Sequence, residues 1–248
     1  MLKDGQRLDR VNDNIQLIQY KDGLTFGTDA LLLAAYVTGK YKNAVEIGGG
    51  SGIISLLIAT RGKADKIDCV EVQAEFAELI KENAEINGMS DKIFSVLSDI
   101  RDFRPETEYE LCFSNPPYMK NNSGKSNISD LKNIARHEEN GGIADFCTAA
   151  SKIVKYGGDF YLVYRPDRLC DLFCALRESG FEPKRITPVT ADFESAPSMV
   201  LIEAKRGGRC GLKYTKSLLI YQDKSHREYT DDMNYIMECG AFPATFGV

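Results

Sequence analysis

Residues 42–62 read KNAVEIGGGSGIISLLIATRG, and the fold turns on how this stretch is divided. KNAVEIG (42–48) has the short apolar run of a buried strand. GIISLLIATRG (52–62) has the apolar spacing of a helix and stops at Gly62. Between them, Gly48, Gly50 and Gly52 stand at alternate positions. Glycines so placed let the backbone turn tightly and approach a ligand closely, while the helix that follows presents unpaired N–H groups. The spacing is G-x-G-x-G. A dinucleotide fingerprint would need its third glycine where Ile53 stands, and no Gly-Lys-Ser/Thr follows to make a phosphate-binding loop. The loop suits a nucleoside carrying a small zwitterionic tail.

Outward from this unit, strands and helices keep alternating. KIDCVEV (66–72) reads as a strand, and QAEFAELIKENAEINGM (73–89) as a helix with Phe76, Leu79, Ile80 and Ile86 on its apolar side and a stop at Gly88. Further strands are expected at 92–98, 109–115, 157–165, 183–189 and 198–206, with helices over about 143–155 and 167–179. Successive β-α units make an α/β fold, a doubly wound, mostly parallel, seven-stranded sheet whose ligand sites lie at the carboxyl ends of the strands. The last two strands leave no room for a helix between them and should pair antiparallel at one edge. With 248 residues the chain is long enough for one large domain of this kind.

Three carboxylates fall where a nucleoside ligand needs them. Glu71 ends the second strand, 21 residues past Gly50, where a carboxylate takes both ribose hydroxyls. Asp99 follows the third strand and is placed to accept from an adenine amino group, or else to cap a helix. Glu46 lies beneath the tail of the ligand, or is the buried partner of a lysine. A fourth feature is FSNPPYMKNN (113–122), directly after the apolar run YELCF. Two prolines lock their own φ and push Asn115 away from helix, so that Asn115, Pro116, Pro117 and Tyr118 form a rigid shelf. An ordinary strand-to-loop turn is the plainer alternative for these residues taken alone.

Composition narrows the class. An apolar fraction of 43% with 27% charged residues is ordinary for a globular domain. No apolar run approaches 18 residues and the amino-terminal MLKDGQRLDR is charged, so neither a membrane span nor a signal peptide is expected, and the default location is cytoplasmic. The seven cysteines include no C-x-x-C pair and have two histidines to help them, which argues against a zinc site or any other metal centre and against a disulfide framework. Net charge is −5, but residues 205–227 hold seven Lys/Arg against one acid and residues 120–136 hold four against one. Lys120 and Lys125, with Lys205, Arg206, Arg209 and Lys213, are expected to make one basic face for a polyanion.

Glu46-x-Gly-x-Gly-x-Gly, Glu71, Asp99 and Asn115-Pro116-Pro117-Tyr118 together resemble the class I S-adenosylmethionine-dependent methyltransferases, and N-P-P-Y is the signature of the branch that methylates amino nitrogen. MLKDGQRLD, FGTDALLLAAY, NPPYMKN, ARHE, YRPDRL and KRGGRCGL, in this order, extend the likeness over nearly the whole chain to the bacterial tRNA adenine-N6 methyltransferases that act on adenosine 37 of a valine tRNA. The resemblance implies a single Rossmann-like domain over 1–248, with residues 1–41 as a segment closing over the cofactor and 42–248 as the core carrying the basic stretch 205–227. It implies S-adenosylmethionine as cofactor and tRNA as substrate. Thr28 or Asp29 reads by itself as the cap of a helix that starts at Ala30; the resemblance implies that Gly27, Thr28 and Asp29 also close over the methionine end of the cofactor, and that Ile100 and Asn115 join its binding set. Asn115 and the Pro116 carbonyl would accept the two hydrogens of the target amino group while Tyr118 stacks on the base. One departure is Glu46 with the run Gly48-Gly49-Gly50, where an aspartate and a threonine are more usual. It is expected to loosen the loop without removing the site.

Overall fold

A computed structural model describes residues 2–21, 26–116 and 142–247; Pro117, Tyr118, Lys120, Lys125 and His137 lie outside the described residues. The sheet is built on five parallel strands, β3 (Tyr41–Ile47), β4 (Ala64–Glu71), β5 (Ile93–Leu97), β6 (Tyr109–Ser114) and β7 (Val154–Tyr164). β8 (Phe181–Thr190) and β9 (Met199–Arg206) form the expected antiparallel hairpin, with β9 inserted between β7 and β8 and antiparallel to both. Two strands of two residues each, β10 (Lys213–Tyr214) and β11 (Leu218–Leu219), add parallel to β8 and extend the seven strands to nine. The order across the sheet is β10-β8-β9-β7-β6-β3-β4-β5, with β11 also on β8.

Helices cover both faces. α1 (Thr28–Tyr36), α2 (Ile53–Thr60), α3 (Ala74–Ile86) and α6 (Asp231–Cys239) pack on one, and α4 (Ile143–Ile153) and α5 (Leu169–Glu178) on the other. Strand residues alternate between the two cores: Phe160 and Leu162 of β7 join α4 and α5, whereas Tyr161 and Val163 join the α1 side. Burial on both faces is why these strands read as continuous apolar runs in the sequence.

The amino-terminal segment contributes structure that the local pattern did not announce. β1 (Gln6–Arg10) and β2 (Gln16–Tyr20) pair antiparallel, and Ile15 and Leu17 enter the main core. The hairpin is pinned by Asn83 of α3, wholly buried, whose Oδ1 accepts the Ile18 N–H at 2.7 Å and whose Nδ2 donates to the carbonyls of Ile18 and Ser51 at 3.1 and 2.9 Å. One side chain therefore ties the hairpin to the glycine loop. Among the described residues no helix is long and apolar enough to cross a membrane.

Candidate active site

Because β3, β4, β5 and β6 run parallel, their carboxyl ends bring the glycine loop, Glu71, Asp99 and Asn115 to one edge of the sheet. Gly48, Gly50 and Gly52 all adopt left-handed φ (76°, 53° and 77°), a conformation in which an L side chain is strained. The loop is held from β4: the N–H groups of Gly48 and Gly49 donate to the Val70 carbonyl at 2.9 and 3.2 Å. A Cβ on Gly49 would lie 2.9 Å from Ile80 Cδ1 and 3.3 Å from Cys69 Cβ, which fits a glycine between Gly48 and Gly50. Above Gly50 a Cβ would meet nothing within 4 Å, so this backbone borders open space.

Glu71 is buried and both of its oxygens accept backbone hydrogens, Oε2 from Gly50 and Oε1 from Gln73, each at 2.9 Å. A carboxylate has about four lone-pair sites, so one on each oxygen remains for a diol. Glu46 lies deeper, fully buried on the α2 side, and its partners are the Ser55 hydroxyl and the Cys69 thiol; no lysine pairs with it among the described residues. Burial pushes its carboxyl up to about 8, against the lowering effect of the Ser55 hydrogen bond. It is therefore protonated at neutral pH and supports the loop from beneath.

Asp99 follows β5 in a turn. Its Oδ1 accepts the Arg101 N–H at 2.8 Å and Nε at 2.9 Å, and the guanidinium also grips Oδ2. The hydrogen bonds from Arg101 hold the carboxyl below its usual range. Asp99 is thus ionised, and both of its oxygens already accept from Arg101. Ile100 is buried beneath the turn.

Asn115 and Pro116 continue from β6, and the end of that strand is anchored by Ser114, whose hydroxyl donates to the Ile47 carbonyl at 2.7 Å. The shelf therefore begins beside Gly48. From the opposite side comes the start of α1: Asn115 Nδ2 donates to Asp29 Oδ2 at 2.8 Å. Gly27 is the residue before the first turn and makes no side-chain cap; Asp29 Oδ1 accepts the Ala30 N–H at 2.9 Å, and Thr28 is exposed. The glycine loop, Glu71, Asp99, Asp29 and Asn115 are thus gathered at one edge. Ser55, Asn83 and Ser114 support them and were not singled out from the sequence. A detectable signal existed for Asn83, a polar residue on the apolar side of its helix.

The basic cluster is a different matter. β9 runs opposite to β6, so Lys205 and Arg206 at its carboxyl end stand at the far edge of the sheet. Lys205 pairs with Asp159 in the middle of β7, and Arg206 bonds the carbonyl of Val154, the first residue of that strand, and lies 3.7 Å from Glu108. Continuing the register past the Ser114–Leu162 and Leu162–Ile202 pairs puts Arg206 five strand positions from Asn115, roughly 17 Å at ~3.4 Å per residue. Lys213 pairs with Arg185 in the middle of β8 and donates to the Gly247 carbonyl. Arg209 sits on the same side, its carbonyl accepting Lys184 Nζ. Strand direction, invisible to a count of charges along the chain, sets Lys205 and Arg206 apart from the edge that carries Asn115, whereas Lys213, level with Phe113 through Arg185, Glu203 and Tyr161, is set apart by the width of the sheet.

Comparison with known proteins agrees with this geometry. Residues 20–170 match the family model described as "Methyltransferase small domain". A tRNA1(Val) (adenine(37)-N6)-methyltransferase of Aeromonas hydrophila is 28% identical over 183 residues, 73% of this chain and 76% of the relative. The protein of the same name from Dyadobacter fermentans is 31% identical over 141 residues, 56% of this chain and 58% of the relative. Among solved structures, an Agrobacterium tumefaciens protein described as a predicted O-methyltransferase superposes with a TM-score of 0.70 at 22% identity, covering 87% of this chain and 98% of its own, a likeness of fold. With the matched segment spanning the glycine loop, Glu71, Asp99, Asn115 and the strands that carry them, the chain belongs to the methyltransferase small domain family.

Proposed function

We propose that the protein transfers a methyl group from S-adenosylmethionine to the exocyclic N6 of adenosine 37 in the anticodon loop of a valine tRNA, in the cytoplasm. The observation that carries the reading is the Asn115-Pro116 step held between the glycine loop and α1, by Ser114 to Ile47 on one side and by Asp29 on the other. The names of the two relatives support the substrate assignment.

The residues at the edge fit the cofactor: left-handed glycines leave backbone accessible beside open space, Glu71 offers acceptors for a diol, and Asp99 an acceptor for an amino group. When bound, S-adenosylmethionine supplies a methyl group on a positively charged sulfur. The protein's own task is to prepare the nucleophile. An adenine amino nitrogen is weak because its lone pair is delocalised into the ring. If the Asn115 amide oxygen and the Pro116 carbonyl accept its two hydrogens, the nitrogen turns toward tetrahedral geometry and its lone pair is freed for attack. Proline at 116 keeps that carbonyl from relaxing away. Positioning and hydrogen bonding supply the rate without a dedicated base. An unpaired loop adenosine is also cheaper to extract than one in a duplex.

The test is incubation with labelled S-adenosylmethionine and total tRNA, followed by nucleoside identification. N6-methyladenosine is the expected product. Label in N2-methylguanosine of ribosomal RNA or in a protein glutamine, with none in tRNA, would replace this substrate by another amino group, and cofactor binding without transfer to any acceptor would replace the enzyme by a binding module.

A further inference from the structure

Asp29 makes one contact that a helix-start residue does not need. Oδ1 accepts the Ala30 N–H at 2.9 Å, an interaction local to the first turn of α1, while Oδ2 reaches across 86 residues of sequence to Asn115 Nδ2 at 2.8 Å. Gly27 makes room for this arrangement: a Cβ there would lie 2.7 Å from Asp29 Oδ1. Its φ of −109° is open to any residue, and what a side chain at 27 would displace is the Asp29 carboxylate.

The chemistry of that pair is directional. An ionised carboxylate only accepts hydrogen bonds, whereas an asparagine amide has one donating and one accepting end. Turning the Asn115 amide over would set its oxygen against Asp29 Oδ2, two acceptors at hydrogen-bond distance. With Nδ2 bound to Asp29, the oxygen is on the side away from α1. A charge-assisted bond at the nitrogen also polarises the amide and makes its oxygen a stronger acceptor.

We propose that Asp29 is a positioning residue for methyl transfer, which holds the Asn115 amide in the one orientation that presents its oxygen to the target amino group. The assignment rests on the adenine-N6 reading above. In the step, the bond from sulfur to methyl breaks and its electron pair stays on sulfur, the nitrogen lone pair forms the new N–C bond, and the nitrogen then gives one proton to solvent. Positive charge passes to the nitrogen, and the polarised amide oxygen faces it. Asp29 takes no proton and touches neither reacting atom.

A double-mutant cycle separates this role from a direct one at the cofactor. Asp29→Ala is expected to lower kcat by about tenfold to a hundredfold, the scale of a misplaced catalytic group. The Kd for S-adenosylmethionine by calorimetry and the KM for tRNA should each change by much less than kcat. Asp29→Asn, which can still offer an amide oxygen to Asn115, should recover part of the rate. Asp29→Ala combined with Asn115→Ala should be no slower than Asn115→Ala alone, because the effect runs through the amide. Multiplying losses, or a weakening of cofactor binding that matches the loss of rate, would overturn the proposal. The link is also read without any substrate, from the side-chain 15N–1H resonances of Asn115, identified by their loss in Asn115→Ala. They should shift in Asp29→Ala, and unchanged resonances would overturn the proposal. Failure of the wild type to methylate tRNA would instead refute the substrate reading, and the resonance experiment would then decide the Asp29 link by itself.

Discussion

Two buried carboxyls one strand apart are set to different tasks by their surroundings. Glu71 receives two backbone N–H groups and keeps acceptor sites toward the open edge, so Glu71→Ala removes a charge-assisted acceptor for the ribose. The expected cost is about 1.5–3 kcal/mol of S-adenosylmethionine affinity, a Kd raised roughly ten- to a hundredfold. Titration calorimetry on folded variant checks it, and an unchanged Kd contradicts the ribose role. Glu46, one strand over, is shut beneath the loop and holds its proton up to about pH 8, whereas in the unfolded chain it ionises near 4.5. Between those values the folded state binds more protons than the unfolded one, so its contribution is full below about pH 4.5 and is lost as pH rises toward 8. The slope approaches ~1.4 kcal/mol per pH unit. Glu46→Gln, which keeps an acceptor for Ser55, should flatten the stability profile across this window and raise stability at pH 8 relative to wild type. Denaturant unfolding at several pH values measures both, and a variant with the same pH slope as wild type would contradict the burial argument. Glu71 was legible from its offset to the glycine loop. The state of Glu46 was not, because it depends on Ser55 and Cys69 arriving from two other elements.

Among the elements, the parallel core could be read strand by strand because each strand is a local apolar run and each helix a local period. The β1–β2 hairpin could not: QRLDR is largely polar, and only β2 contributes a core face. Its stability comes from elsewhere in the chain, through Asn83. Asn83→Ala leaves the Ile18 N–H and two carbonyls without their partner in a buried setting, an expected loss of at least ~2 kcal/mol. Since Ser51 is one of those carbonyls, cofactor affinity should weaken along with the melting temperature. A variant with wild-type stability and affinity would show that the hairpin is held by Glu82 and Asn87 without help from Asn83. The same long-range logic applies to Asp29 and Asn115. Each has a sufficient local reading, as a helix-start residue and as a turn residue, and nothing in either neighbourhood points to the other.

For the whole molecule, strand direction decides which surface faces the substrate. Lys205 and Arg206 lie at the edge opposite the site, both already paired, because β9 enters the sheet antiparallel. Phosphate contacts position a nucleic acid without reading bases, and their loss weakens binding and flattens its salt dependence. Arg206→Glu with Arg209→Glu should therefore leave the KM for tRNA within about twofold and its salt slope unchanged. A large rise in KM would mean that the RNA reaches around to the far edge. The central claim concerns one atom at the near edge, and it is tested most directly with two valine tRNA transcripts differing only at position 37, adenosine in one and guanosine in the other. With labelled S-adenosylmethionine, the adenosine transcript should take up close to one methyl per molecule, recovered as N6-methyladenosine, while the guanosine transcript stays unlabelled. Equal labelling of the two, or label recovered in any other nucleoside, would contradict the account.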